Sequence, residues 1–287
     1  MLRLLLQTLP PDLVHRDPGT GPVRIEYFGT AGFVLHGPSR TVVLDPYVSR
    51  PGVFTTLFRP LVPDAERIAA LIPVADDVLI GHAHHDHVLD APVLCQQTGA
   101  RFIGSVDACN VARAAAVPEA QIVQTEGRED IPCGPSCTVR GLPAAHGRVY
   151  FNRVTLPGTI DTPPPWPPRF RDLRHGLVLN WFVELDGLRI VHIDSAEFFE
   201  EELKDVRCDV LCLCAIGRAY RPNYVADAVR LLKPRWVLPC HWDLFTPPIE
   251  DEPLLLPGVD VPGLLDEIRA AGSEPILLPL RGSWRCG

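Results

Sequence analysis

The chain has 287 residues, 46% apolar and 22% charged, with a formal net charge of -8. That length buries a core without help from disulfides or metals, and the composition excludes the disordered and membrane classes. The acidic balance argues against a nucleic-acid binder, which needs a basic surface to neutralise phosphates.

In chain order, Met1 to Leu6 holds four leucines and one arginine, too short a run for a secretory signal or a membrane span. Val23 to Tyr27 alternates apolar and polar residues, and Phe33 to Leu35 and Thr41 to Leu44 follow across Gly, Pro and Ser turns. The pattern predicts a meander of short strands. The third strand stops at Asp45-Pro46. Asp45 there either supports a metal-bound histidine from behind or caps the turn. Arg50 to Pro63 is apolar but interrupted by prolines, which forbid a long helix, so it can wall a pocket. Asp64 reads as the N-cap of a helix through Leu71, and Asp77 to Gly81 as a strand.

That strand runs into His82-Ala83-His84-His85-Asp86-His87, four imidazoles and a carboxylate within six residues. Imidazole nitrogens and a carboxylate oxygen suit zinc, iron or manganese. If the loop starts extended, its period of two sends His82 and His84 to one side, while Asp86 and His87 turn towards a neighbouring point. The spacing therefore suggests two metals. His85 lies between ligand candidates, either as a proton donor or pointing away as a solvated or supporting histidine.

Beyond the loop, helices over Ala91 to Thr98 and Asp107 to Ala116 flank a strand at Arg101 to Gly104, the order of helices packed on a sheet. Cys133 and Cys137 bracket a turn, and a metal site there lacks partners. The nine cysteines are odd in number and follow no secretory signal, which favours free thiols in a reducing cytoplasm. Cys212 and Cys214, in the apolar run Val210 to Ile216, read as small hydrophobes. Strands at Cys137 to Leu142, Leu188 to Ile193 and Arg235 to Leu238 lead into His146, Asp194 and His241. Three distant strands thus finish near a ligand-type residue. Helices are predicted over Glu197 to Asp205, Tyr224 to Leu232 and Gly263 to Ala271, so the two halves share a plan without sharing sequence.

Pro157 to His175 carries Pro163-Pro164-Pro165-Trp166-Pro167-Pro168 and then Arg169, Arg171 and Arg174. Such a run favours an extended polyproline-like form. A lid or pocket wall over the metals is expected, against the alternatives of a solvent-facing loop or a dimer contact. Arg169 or Arg171 can clamp a carboxylate or phosphate of the substrate. Tyr220, Arg221 and Trp242 are weaker pocket candidates.

Taken together, His82, His84, Asp86 and His87, followed by His146, Asp194 and His241, resemble the metallo-β-lactamase superfamily from about Val23 to the last strand. The resemblance implies an α/β fold, an αββα sandwich with two mixed β-sheets flanked by helices and the metals at one edge. It implies that His82, His84 and His146 hold one metal, that Asp86, His87 and His241 hold a second, and that Asp194 bridges them. Tyr27-Phe28-Gly29-Thr30-Ala31-Gly32-Phe33, Asp45-Pro46, His87-Val88-Leu89-Asp90 and Leu231-Leu232-Lys233-Pro234 before Pro239-Cys240-His241-Trp242 look like the branch containing ascorbate-phosphate lactonase and N-acyl-phosphatidylethanolamine phospholipase D.

The expectation is a dinuclear metal-dependent hydrolase whose metal-bound hydroxide cleaves a small ester, lactone or phosphoester, with Asp86 and Asp194 as the carboxylates of the reacting centre. Two ions roughly 3.5 to 4 Å apart can share a water, lower its pKa and aim the hydroxide. Zinc is expected first, with manganese or iron as alternatives. The competing reading is an iron-dependent redox member of the same fold, such as a sulfur dioxygenase. Also expected are one domain over 1–287 with an insertion at about 157–175, a cytoplasmic location, a small-molecule substrate that can be anionic, no nucleic-acid partner and no membrane span. A homo-oligomer is compatible with all of this.

Overall fold

The structure is a computed structural model and describes residues 7–287, so the expectation for Met1 to Leu6 lies outside the described residues. The strands in chain order are β1 (Val23–Gly29), β2 (Gly32–His36), β3 (Thr41–Leu44), β4 (Asp77–Leu79), β5 (Arg101–Gly104), β6 (Ile122–Gln124), β7 (Ile131–Pro132), β8 (Cys137–Ala144), β9 (Val178–Leu185), β10 (Leu188–Ile193), β11 (Val210–Cys214), β12 (Trp236–Cys240), β13 (Glu274–Pro275) and β14 (Ser283–Cys286). Among the described residues they form two seven-stranded sheets, ordered β14-β1-β2-β3-β4-β5-β6 and β13-β12-β11-β10-β9-β8-β7. In the first, β1, β2 and β3 pair antiparallel and β3 through β6 pair parallel. In the second, β8, β9 and β10 pair antiparallel and β10 through β13 parallel. Each sheet adds one antiparallel edge strand, β14 beside β1 and β7 beside β8. The two halves share a topology as well as a plan, and the mixed α/β sandwich expected from the sequence is the observed fold.

Period-two alternation explains the layers. In β2, Phe33 and Leu35 join the core that contains the second sheet, while Val34 faces the helices outside. In β3, Val42 and Leu44 point inward and Val43 outward; in β4, Leu79 points inward and Val78 outward. A strand buried on both faces reads as a near-continuous apolar run, as in Val210-Leu211-Cys212-Leu213-Cys214 of β11. Each such aliphatic side chain contributes about 1.5–3 kcal/mol through the water it loses. All nine cysteines are free and buried, consistent with small apolar packing.

The helices are α1 (Val53–Phe58), α2 (Ala65–Leu71), α3 (His85–Val88), α4 (Ala91–Thr98), α5 (Val106–Ala114), α6 (Glu200–Leu203), α7 (Tyr224–Leu232) and α8 (Val261–Ala270). Asp64 caps α2 as expected, accepting from Arg67 N at 3.0 Å. The Arg50 to Pro63 stretch is less irregular than expected, since α1 fits between its prolines. The helix expected over Glu197 to Asp205 shrinks to α6, because Phe199 is extended and the Glu197 carboxylate takes Phe198 N and Arg221 instead. β9 carried no clear alternation in the sequence, yet it pairs along its length with both β8 and β10. Among the described residues no helix is long and apolar enough to cross a membrane.

Two antiparallel steps separate β8 from β10, so the two run in the same direction, as do β11 and β12. The carboxyl ends of β8, β10 and β12 therefore lie at one rim of their sheet. β3 and β4 likewise end together in the other sheet. Both rims supply the candidate site.

Candidate metal centre

The ends of β3 and β4 are cross-tied: Asp45 N donates to Leu79 O at 3.1 Å, and Gly81 N donates to Asp45 Oδ1 at 2.7 Å. The chain is extended at His84 and then enters α3, where His87 N and Val88 N each donate to His84 O at 3.0 Å. The change from extended to helical at His84 points His82 and His84 one way and Asp86 and His87 another. Gly81 O accepts from Leu179 N at 2.8 Å and Ala83 N donates to His175 O at 3.0 Å, which pins the loop to the start of β9.

The distant residues converge on this loop. His82 Nδ1 lies 2.5 Å from Asp194 Oδ2, and His87 Nδ1 lies 3.7 Å from the same oxygen. His82 Nε2 lies 3.0 Å from His84 Nδ1, and the His146 ring stands 4.8 Å from the His82 ring and 4.7 Å from that of His84. Asp86 Oδ2 is 3.3 Å from His241 Nε2 and 3.9 Å from His87 Nε2. Behind the cluster, His87 Nδ1 donates to Asp45 Oδ2 at 2.9 Å, and His146 Nδ1 donates to Gly147 O at 2.7 Å. Both bonds turn the Nε2 lone pair of their imidazole away from the bonded partner.

Burial is the first cause of the low pKa values of His82, His84 and His87, and neighbouring imidazoles push the same way, which favours the neutral form of these rings. Burial alone would raise Asp86, but His85, His87 and His241 outweigh it and hold the carboxyl well below its usual range. Burial, followed by the neighbouring Asp194, pushes Asp45 well above that range.

A second ring of contacts supports the far ligand candidate. His241 sits at φ 54°, a left-handed conformation unusual for a side-chain-bearing residue, and its N–H donates to Thr30 O. Two residues on, Asp243 Oδ1 accepts from Tyr27 Oη at 2.7 Å and Thr30 N at 2.8 Å, while Oδ2 accepts from Arg50 at 2.6 Å. The Tyr27 to Phe33 stretch thus holds the turn that carries His241.

A cavity of about 270 Å³ opens over the cluster, lined also by Thr56, His85, Val149, Tyr150, Phe170, Ile216 and Phe245. His85 is 5% exposed and boxed edge-on by Tyr47, Phe170 and Phe245 at 5.6, 5.0 and 6.1 Å. The solvated position expected for it is therefore corrected, because its place on α3 directs it into aromatic packing. The residues expected against the substrate lie elsewhere. Arg169 and Arg171 are exposed and Arg169 donates to Phe58 O at 3.3 Å, whereas Phe170 between them turns into the cavity. Tyr220 is 43% exposed, and Trp242 is fully buried, its ring 5.8 Å from that of Tyr27. The left-handed turn at His241 sends the indole to the core. Sequence reasoning missed Phe170, Phe245 and His175; the His175 ring stacks on His146 at 5.5 Å. A lone histidine after a proline run carries no spacing signal.

A family model of the beta-lactamase superfamily domain matches residues 24–241. The chain is 27% identical over 234 residues to a metal-dependent hydrolase of Pyrobaculum calidifontis, a match covering 80% of this chain and 88% of that protein. Among solved structures it is similar to Igni18, a metallo hydrolase of Ignicoccus hospitalis, with a TM-score of 0.61, 19% identity, and coverage of 92% of this chain and 99% of that one. It is also similar to CmlA, a diiron β-hydroxylase of Streptomyces venezuelae, with a TM-score of 0.60, 16% identity, and coverage of 94% and 55%. At such identities the structural likenesses speak to the fold alone. The matched span opens in β1 and closes on His241, and the chain belongs to the metallo-β-lactamase superfamily.

Proposed function

We propose that this protein is a dinuclear metal-dependent hydrolase of a small ester, lactone or phosphoester. In this reading His82, His84 and His146 hold one ion, Asp86, His87 and His241 hold the other, and Asp194 lies between them. One observation carries it: the donor atoms fall into three overlapping groups, His82/His84/His146, His82/His87/Asp194 and Asp86/His87/His241, with the atoms of each group within 4.8 Å of one another. The donor set also fits a cation chemically. Burial favours the neutral form of the His82, His84, His87 and His146 rings, the neighbouring histidines hold the Asp86 carboxyl well below its usual range, and buried His84 Nε2 and Asp194 Oδ1 have no hydrogen-bond partner. The naming of the Pyrobaculum relative as a metal-dependent hydrolase points the same way.

When bound, two ions would acidify a water and polarise the scissile bond. The protein's own residues prepare the place. Asp45 fixes the ring of His87 and Gly147 O sets the tautomer of His146, beside a cavity wall that is largely apolar. Imidazole with carboxylate suits zinc first and manganese or iron next. We further read the chain as one domain in which residues 157–175 form a wall of the cavity. Supporting this, Leu61 N donates to Pro168 O at 2.7 Å and Phe170 faces the cavity.

Elemental analysis of the purified full chain tests the proposal together with hydrolysis by Asp194→Ala. About two metals per chain and a variant that keeps its fold but loses hydrolysis are expected. A metal content near zero in an active protein would sink the reading. Iron at full stoichiometry with no hydrolysis of any ester, lactone or phosphoester would favour the redox alternative.

A further inference from the structure

We infer that the substrate is an uncharged carboxylic ester or lactone bearing a flat apolar group, with Phe170 as a specificity-determining residue. This deepens the hydrolase reading above and rests on it. Among the described residues, no lysine or arginine lines the cavity over the metal cluster. The nearby Arg169 is exposed, its guanidinium donating to Phe58 O. Two of the wall hydroxyls direct their protons outward: Thr56 Oγ1 donates to Pro51 O at 3.1 Å, and Tyr150 Oη donates to Pro257 O at 2.9 Å. Thr155 and Ser195 can serve a neutral oxygen but bring no charge.

An anionic substituent held away from the reacting centre would therefore lose its water and meet no counter-charge, which is unfavourable in a pocket of low polarity. A flat apolar group meets the opposite situation. Phe170 stands edge-on to His85 at 5.0 Å, and Phe245 packs against both His85 at 6.1 Å and His241 at 5.5 Å. These rings make an aromatic wall directly beside the cluster, the arrangement that favours stacked or edge-on aromatic contacts. In the reaction, water adds its oxygen to the carbonyl carbon, the bond from that carbon to the alcohol oxygen breaks, and a water proton passes to the departing alcohol. The products are one acid and one alcohol.

The test uses the full chain loaded with zinc and three substrates that release the same 4-nitrophenol. These are 4-nitrophenyl butyrate, 4-nitrophenyl hydrogen succinate, which adds a carboxylate to an acyl chain of similar length, and bis(4-nitrophenyl) phosphate. The expected kcat/KM for the butyrate exceeds that for each anionic substrate by about tenfold or more. Phe170→Ala is expected to raise KM for the butyrate by about tenfold with little change in kcat, and Phe170→Leu to restore most of it. Equal or faster turnover of the succinate ester or the phosphodiester overturns this inference and leaves the hydrolase reading standing. An unchanged KM in a folded Phe170→Ala removes Phe170 from specificity. Hydrolysis of none of the three by the zinc-loaded protein overturns both readings.

Discussion

A methyl group placed on Gly81 would stand 2.1 Å from Asp194 Oδ2. The end of β4 and the end of β10 approach each other so closely that only a residue without a Cβ fits between the first histidine and the carboxylate from the other half. Gly81→Ala must push one of them away. Because Gly81 N also holds Asp45, the displacement reaches His87 as well. The expected result is metal binding weakened by about 10- to 100-fold, the range seen when support around a metal site is lost. Metal titration of the apoprotein reads this directly, and wild-type affinity in the variant would show that the loop has slack.

Asp45→Asn is expected to act through the two groups that Asp45 ties together, His87 and Gly81 N. The single amide oxygen can accept from the imidazole or from Gly81 N, not from both as the two carboxylate oxygens do, and it carries no charge to strengthen the ring as a ligand. Metal affinity should again fall by about 10- to 100-fold, with thermal stability of the apoprotein unchanged or raised, since burial of the Asp45 carboxylate is unfavourable without a cation. A large drop in apoprotein stability would instead mark Asp45 as a structural tie.

Asp90 offers a pH signature at some remove from the cluster. Its Oδ2 accepts from Val48 N at 2.6 Å and Ser49 N at 2.8 Å, and burial pushes its pKa up to about 6. A carboxyl raised in the folded state binds its proton more tightly there than in the unfolded chain. Its contribution to stability is full below the ordinary value of about 3.9 and is lost as pH rises through 6. Urea unfolding of wild type and Asp90→Asn at pH 4.5 and 7.5 should differ in pH slope, with the wild type losing about 2 kcal/mol more on the alkaline side. Parallel slopes would refute the shift.

The Arg50–Asp243 pair is fully buried at 2.6 Å, and a Cβ on Gly29 would collide with the Arg50 guanidinium. Asp243→Ala leaves that guanidinium without its partner and also releases Tyr27 Oη and Thr30 N. A loss of about 3–5 kcal/mol in unfolding free energy is expected. A change below about 1 kcal/mol, the scale of an exposed ion pair, would mean that water reaches the site.

Much of the clustering in the candidate site was legible because strand ends and residue chemistry leave local marks. The His82 to His87 cluster, the termini carrying Asp45, Asp194 and His241, and β1, β3 and α7 depend on alternation, caps and turn residues that act within a few positions. β9 was not legible. It lies between two strands and owes its place to pairing partners, with Asn180 inside an otherwise apolar run. The substrate-facing assignments went astray for a related reason. Arg169 and Phe170 are chain neighbours, and only the turn at Phe170–Asp172, set by Asp172 Oδ2 accepting from Arg169 N at 2.8 Å, decides which of them enters the cavity.

The sequence by itself determined the kinds of candidate donors and their order, since residue chemistry is a local property, and the mixed two-sheet architecture followed from the family resemblance those residues carry. Only the tertiary structure decided which atoms meet. It put Gly81 against Asp194, Asp45 behind His87, and a cavity wall without cationic side chains where the sequence had suggested an arginine clamp. Side-chain direction at a turn depends on hydrogen bonds to residues far along the chain, and no spacing rule carries that information.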